Sequence, residues 1–192
     1  MKSTGSRFFW FACVTEAALL LVAAVLAYLL AHPLLSDLHW SAEDLLLGFI
    51  ASGPLYVLFY WMLSSSFAPL KRIRRLLGGK LRPLFVRWSL AQLGLLSLLA
   101  GIGEEVLFRS VIQGALSTSA GPVIALLVAS ALFGCAHLVT VGYAVIAAAI
   151  GVYLGILWIW SDNLLTPIVT HATYDFIALT YLLRSWNASD DD

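Results

Sequence analysis

The chain has 192 residues, 61% of them hydrophobic and 11% charged, with eleven basic and eleven acidic side chains that balance to a formal net charge of zero. A mean hydropathy of +0.91 lies far outside the range of soluble globular domains, and the charge balance supplies no field for nucleic acid or another bulk polyanion. The lipid bilayer is the expected solvent and partner. The expected fold is an all-α polytopic membrane protein of about six transmembrane helices, because a spanning helix needs roughly 20 apolar residues and such runs fill most of the length.

Lys2 and Arg7 precede the first apolar run as in a signal peptide. The run is long, contains Glu16 and lacks a convincing small-residue cleavage site, so it is read as a retained first helix. The expected spans are residues 8–31, 44–63, 88–116, 122–138, 143–160 and 164–183. All seven tryptophans, Trp10, Trp40, Trp61, Trp88, Trp158, Trp160 and Trp186, fall near a proposed end and are expected to anchor at the interface. Cys13 and Cys135 lie in separate apolar runs and read as small packing residues without a disulfide or metal role.

Between the second and third spans, residues 64–87 hold Lys71, Arg72, Arg74, Arg75, Lys80, Arg82 and Arg87 with no acid. The loop before the second span holds Asp37, Glu43 and Asp44 with no Lys or Arg. The positive-inside rule places the basic loop in the cytoplasm, and six spans return both termini, including the acidic tail at 190–192, to that side. Residues 1–87 thus read as two helices and a basic cytoplasmic loop, and 88–192 as the chemistry-bearing core. Ser119, Ala120, Gly121 and Pro122 form a turn with proline at a first helical position, and Asp162 with Asn163 cap the last helix, leaving Pro167 near its first turn. Gly151 and Gly155 give the fifth helix a small face for close approach of a neighbour.

Ionisable residues inside a span cost on the order of 2.5–3.5 kcal/mol at the centre for Asp, Lys or Arg, so they read as functional by default. The third span carries Glu104, Glu105 and Arg109, the fourth ends with Phe133 and His137, and the sixth carries His171 and Asp175. Residues four apart share a helical face, so Glu105 is placed to neutralise Arg109, Phe133 to pack beside His137, and His171 to meet Asp175. Glu104 is turned about 100° from Glu105 and points into a different cavity. Glu104 lies 16 residues before Ala120 and His137 lies 17 after it, so the two come level across an antiparallel hairpin. Glu16 stands alone and reads as a snorkelling or interhelical contact.

The succession Glu104-Glu105-x-x-x-Arg109, Phe133-x-x-x-His137 and His171-x-x-x-Asp175 resembles the CPBP family, which includes CAAX prenyl proteases of the Ras-converting type, bacterial Abi proteins and bacteriocin-processing proteins. The resemblance covers about residues 91–183, and the third motif ends in Asp175 where the prenyl proteases favour Asn. It implies an intramembrane glutamic-type endopeptidase of a bacterial or archaeal inner membrane, acting on a CAAX-like tail, a leader or a C-terminal sorting anchor. Glu104 would activate water with His137, while His171 and Asp175 would stabilise the oxyanion or orient its donor. Glu105, Arg109 and Phe133 would support the site. No cofactor is expected. A competing reading gives Glu104, His137 and His171 to zinc with an open fourth position, although no HExxH motif is present. A non-catalytic immunity or peptide-binding protein of the same fold and a transporter are the competing functions.

Overall fold

The apolar runs fold as helices close to their expected places in a computed structural model, which describes residues 4–184. Helix α1 is Thr4–Leu29 and α2 is Ala42–Ser64. A long rod follows in three pieces: α5 (Leu90–Glu105), a π-helical stretch (Val106–Gln113) and α6 (Gly114–Ala120). Helices α7 (Pro122–Ala136), α8 (Val141–Ser161) and α9 (Leu165–Arg184) complete the bundle, and no strand occurs among the described residues. By length and composition α1, α2 and α8 are apolar enough to cross a membrane, with mean hydropathies of 2.2, 1.7 and 2.0. The α5–α6 rod, the shorter α7 and α9 carry the buried polar groups, and together the helices form an all-α membrane-type fold. Lys2, Trp186 and the acidic tail lie outside the described residues.

Helix ends follow the capping chemistry in the sequence. Ser41 Oγ accepts the Asp44 N–H, Ser89 and Gln92 form a reciprocal capping box, and Thr140 Oγ1 accepts the Tyr143 N–H. Asn163 Oδ1 accepts the Leu165 N–H, as a cap for α9. The turn before Pro122 needs a left-handed residue, and Gly121 supplies it with φ 84°.

Two expectations need correction. The basic stretch is not a loop: it folds as α3 (Ala68–Leu76), a π-helical turn (Leu77–Leu81) and α4 (Arg82–Phe85). Leu70 and Ile73, three apart, are buried with Met62, beside Leu77 and Tyr143, while Lys71, Arg72 and Arg75 are exposed. That is the pattern of an amphipathic helix lying along an apolar surface. Arg74 is buried and donates to the carbonyls of Met62 and Ser65, satisfying acceptors that the end of α2 leaves open. Trp88, in turn, is no interfacial anchor. Only 2% of it is exposed; it packs edge-on against Phe9 and Phe85, and its Nε1 donates to the Gly5 carbonyl. Trp10, Trp40, Trp61 and Trp160 are exposed, as interfacial residues should be. Cys13 is buried beside Trp88, whereas Cys135 faces outward, and both are free thiols.

The bundle is tied at both ends. At one, the α1–α2 connection reaches across: Asp37 accepts from Ser110 Oγ at 2.8 Å and from Trp158 Nε1 at 2.6 Å. Asn163 donates there to Asp44 and to the His39 carbonyl. At the other, Arg184 donates to the Trp88 carbonyl at 2.7 Å. Within the α7–α8 hairpin, a Cβ on Gly151 would stand 3.2 Å from the Ser130 backbone, and one on Gly155 would overlap Leu126 and Gln113. The small face of α8 therefore serves the close contact read from its spacing.

Candidate active site

The site is built where α5 ends and the backbone passes into its π-helical stretch. Two glycines allow the neighbouring helices to reach it. A Cβ on Gly101 would lie 2.9–3.0 Å from Ala172 and the Ile168 carbonyl of α9, and one on Gly103 would lie 2.7 Å from the Glu16 carbonyl of α1. Any larger side chain at Gly101 would push α9, and His171 with it, away from the carboxylates.

Glu105 is wholly buried and doubly engaged. Arg109 Nε donates to its Oε2 at 2.9 Å, and His171 Nδ1 donates to its Oε1 at 2.8 Å. The first contact is the i, i+4 pair expected from sequence; the second joins α5 to α9 and has no local signature. Arg109, also wholly buried, places its Cζ 5.0 Å from the centre of the Phe133 ring, a desolvated cation–π contact. Phe133 is in fact the hub of the site. It stacks on His137 at 4.5 Å, meets His171 edge-on at 5.9 Å and meets Phe108 edge-on at 5.2 Å.

Glu104 is buried, with 8% exposure, yet its Oε2 has no hydrogen-bond partner. It faces His137 Nε2 at 3.6 Å, so the register counted outward from the Gly121 turn does bring the two level. His137 caps the C-terminus of α7, and its Nδ1 lies 2.9 Å from the Phe133 carbonyl. A carbonyl only accepts, so Nδ1 carries the proton, and a neutral ring presents a lone pair at Nε2. Two acceptors therefore face each other slightly beyond hydrogen-bond distance, an arrangement that suits one small molecule with two O–H donors. On the far side, His171 Nε2 stands 3.6 Å from Asp175 Oδ2.

His137, His171 and Asp175 line a cavity of about 200 Å³ together with Phe133, Tyr143 and Tyr174. Its remaining wall is mainly apolar, from α2, α8, α9 and Leu77. Glu104, 3.6 Å from His137 Nε2, does not itself line this space. Among the described residues no group of three or more His, Cys, Asp or Glu is arranged to hold a metal ion; His171 Nδ1, for one, is taken by Glu105.

Two residues named from the sequence have surroundings that it did not reveal. The hub role of Phe133 follows from packing among three helices. Glu16 reads from sequence as a snorkelling or interhelical contact, and α1 does bring its backbone against Gly103 of α5, with its Oε2 buried and unpartnered. Its one signal was a carboxylate in an otherwise apolar helix.

No curated protein and no solved structure matches the chain. Residues 86–177 match the family model of Rce1-like type II CAAX prenyl endopeptidases. That stretch contains Glu104, Glu105, Arg109, Phe133, His137, His171 and Asp175, so the part of the chain that carries the site is similar to the Rce1-like CAAX prenyl endopeptidases.

Proposed function

We propose that this integral membrane protein is an intramembrane endopeptidase of the glutamic type, which hydrolyses a peptide bond of a membrane-associated substrate. The observation that carries the reading is the pair of facing acceptors, Glu104 Oε2 and His137 Nε2, 3.6 Å apart beside a cavity lined by His171 and Asp175. A water that donates one O–H to each is held with its lone pair free to attack. In the first step Glu104 takes a proton from this water, the water oxygen bonds to the peptide carbonyl carbon, and the carbonyl electron pair moves onto oxygen. His171, protonated on both ring nitrogens between Glu105 and Asp175, donates its Nε2–H to that oxyanion. Collapse re-forms the carbonyl and breaks the C–N bond, and the proton held on Glu104 passes to the leaving amine.

Glu105 takes no part in these transfers on this reading. Its bonds to Arg109 and His171 fix the ring that faces the substrate. Residues 88–192 would form the catalytic core, with both termini cytoplasmic and no metal required. The substrate is a prenylated tail, a leader or a sorting anchor, each of which presents an extended peptide beside a membrane helix.

Glu104→Gln keeps the shape of the side chain but removes the base. Loss of a positioned general base costs about 10²–10⁴-fold, so cleavage of a reconstituted peptide substrate should fall by that factor while the purified protein keeps its melting temperature. Cleavage at the wild-type rate would refute the assignment.

A further inference from the structure

A second concave surface lies at the end of the bundle that carries the basic segment, and none of its lining residues lines the cavity of the site. It is a groove of about 630 Å³ between α3 and the turn that joins α7 to α8. From α3 come Ala68, Pro69 and Arg72, at i, i+1 and i+4 and hence on one helical face. Residues 138–142 of the turn form the other wall. The two walls approach each other at Gly142, where a Cβ would stand 3.7 Å from Ile73 Cδ1 and 3.8 Å from Pro69 Cβ.

The walls differ in chemistry. Leu138, Val139 and Val141 on the turn are 63%, 56% and 76% exposed, and Phe67 at the start of α3 is 62% exposed. Large apolar side chains grouped in this way need an apolar neighbour, and hydrocarbon supplies one. Arg72 is the groove's single ionisable residue, and Lys71 and Arg75, four apart, flank it on α3. All three cations are exposed, none is paired with a carboxylate among the described residues, and residues 64–87 contain no acid. A soluble anion would complement only the cations, and an apolar helix only the turn. A phosphodiester joined to acyl chains complements both walls, and a basic segment on the cytoplasmic side lies at the level of anionic headgroups.

We propose that this groove binds one anionic phospholipid, with its phosphate on Arg72 beside Lys71 and Arg75 and an acyl chain along Leu138, Val139 and Val141. The inference goes beyond the peptidase reading and does not rest on it, because its test reads binding and needs no substrate.

The full chain in dodecyl maltoside is titrated with palmitoyl-oleoyl phosphatidylglycerol or phosphatidylcholine, bound lipid is counted by native mass spectrometry, and the melting temperature is followed in parallel. One basic side chain beside an anionic lipid changes affinity about fivefold. Wild type should therefore retain one phosphatidylglycerol at least about fivefold more tightly than phosphatidylcholine, and melt higher in its presence. Arg72→Gln should lower that preference about fivefold, and Arg72→Lys should keep most of it. Gly142→Leu leaves every cation in place but puts a side chain into the groove, and should lose the bound lipid while melting as wild type does without it. Val139→Asp, at an exposed position on the same wall, should do likewise and serves if the leucine variant fails to fold. Equal affinity for the two lipids, or a preference that survives Arg72→Gln, overturns the proposal. So does a loss in Arg72→Gln that neither groove variant reproduces, because the arginine then belongs to a diffuse positive surface. Displacement of the lipid by millimolar inorganic phosphate overturns it in favour of a small anion.

Discussion

Replacing Arg109 by alanine tests how the site is held together. Arg109 and Glu105 are both fully buried and joined by a 2.9 Å hydrogen-bonded ion pair, and the guanidinium also lies over Phe133 at 5.0 Å. Removing one partner of a buried pair strands the other charge, at a cost of about 3–5 kcal/mol. The cation–π contact is worth about 2 kcal/mol when desolvated but overlaps with that figure, and Glu105 still keeps His171. A net loss of about 4 kcal/mol is expected, and at roughly 2–4 °C per kcal/mol for a chain of this size the melting temperature should fall by about 8–16 °C. Tryptophan fluorescence during thermal unfolding in detergent reads this directly, since Trp88 and Trp158 report on opposite ends of the bundle. The double variant Glu105→Gln with Arg109→Met removes both charges while keeping an acceptor for His171 Nδ1, and should recover most of the loss. A fall of less than 2 °C in Arg109→Ala, or a double variant no more stable than the single one, would refute the assignment of Arg109 as the neutralising partner.

Three further outcomes are expected. Exhaustive chelation should leave peptidase activity within twofold of the untreated enzyme, and elemental analysis should find no stoichiometric zinc; loss of activity that zinc alone restores would move Glu104 and the histidines to a ligand role. Single cysteines at Ser119 and Leu138, both exposed, in a Cys13→Ala, Cys135→Ala background should differ toward an impermeant maleimide on intact cells, with Ser119 labelled and Leu138 protected. The opposite pattern would invert the topology. Glu16→Leu removes a carboxylate whose Oε2 is buried without a partner, and since an unsatisfied buried group costs about 1–3 kcal/mol the melting temperature should rise by several degrees; a fall would mean that Glu16 holds α1 to the bundle.

Hydropathy and punctuation suffice to place the long helices, because in lipid each apolar run must satisfy its own backbone and therefore closes as a helix. The same logic hides α3. Its basic residues dominate the local composition, so Leu70 and Ile73 are outvoted, although their spacing is that of a buried helical face and they are buried. Trp88 misleads for a related reason: its position near a helix end is the same whether it faces lipid or, as here, Phe9 and Phe85. At the site, local pairs are legible and pairs between helices are not. Glu105 with Arg109 follows from a four-residue spacing, and Glu104 with His137 follows from counting outward from one turn. His171 and Asp175, also four apart, come only to 3.6 Å, while the shorter contact of His171 is with Glu105 at 2.8 Å, a distance set by the close approach of α9 at Gly101.

The two adjacent carboxylates end in opposite states, and the cause lies in the helix geometry. One residue of rotation turns Glu105 toward a guanidinium and an imidazole N–H that satisfy both its oxygens, and turns Glu104 toward an imidazole lone pair that cannot donate to it. A buried oxygen without a donor is unfavourable in any fold, and here it persists because its surroundings are fixed from several sides. Glu105 locks the backbone next to it, Gly103 presses that backbone against α1, and Phe133 pins the facing ring. On the proposed reading the missing donor is the water to be split. The strength of Glu104 as a base then depends on the completeness with which its neighbour is satisfied, because any loosening of Glu105 would free His171 and α9 to shift and let Glu104 find a partner of its own.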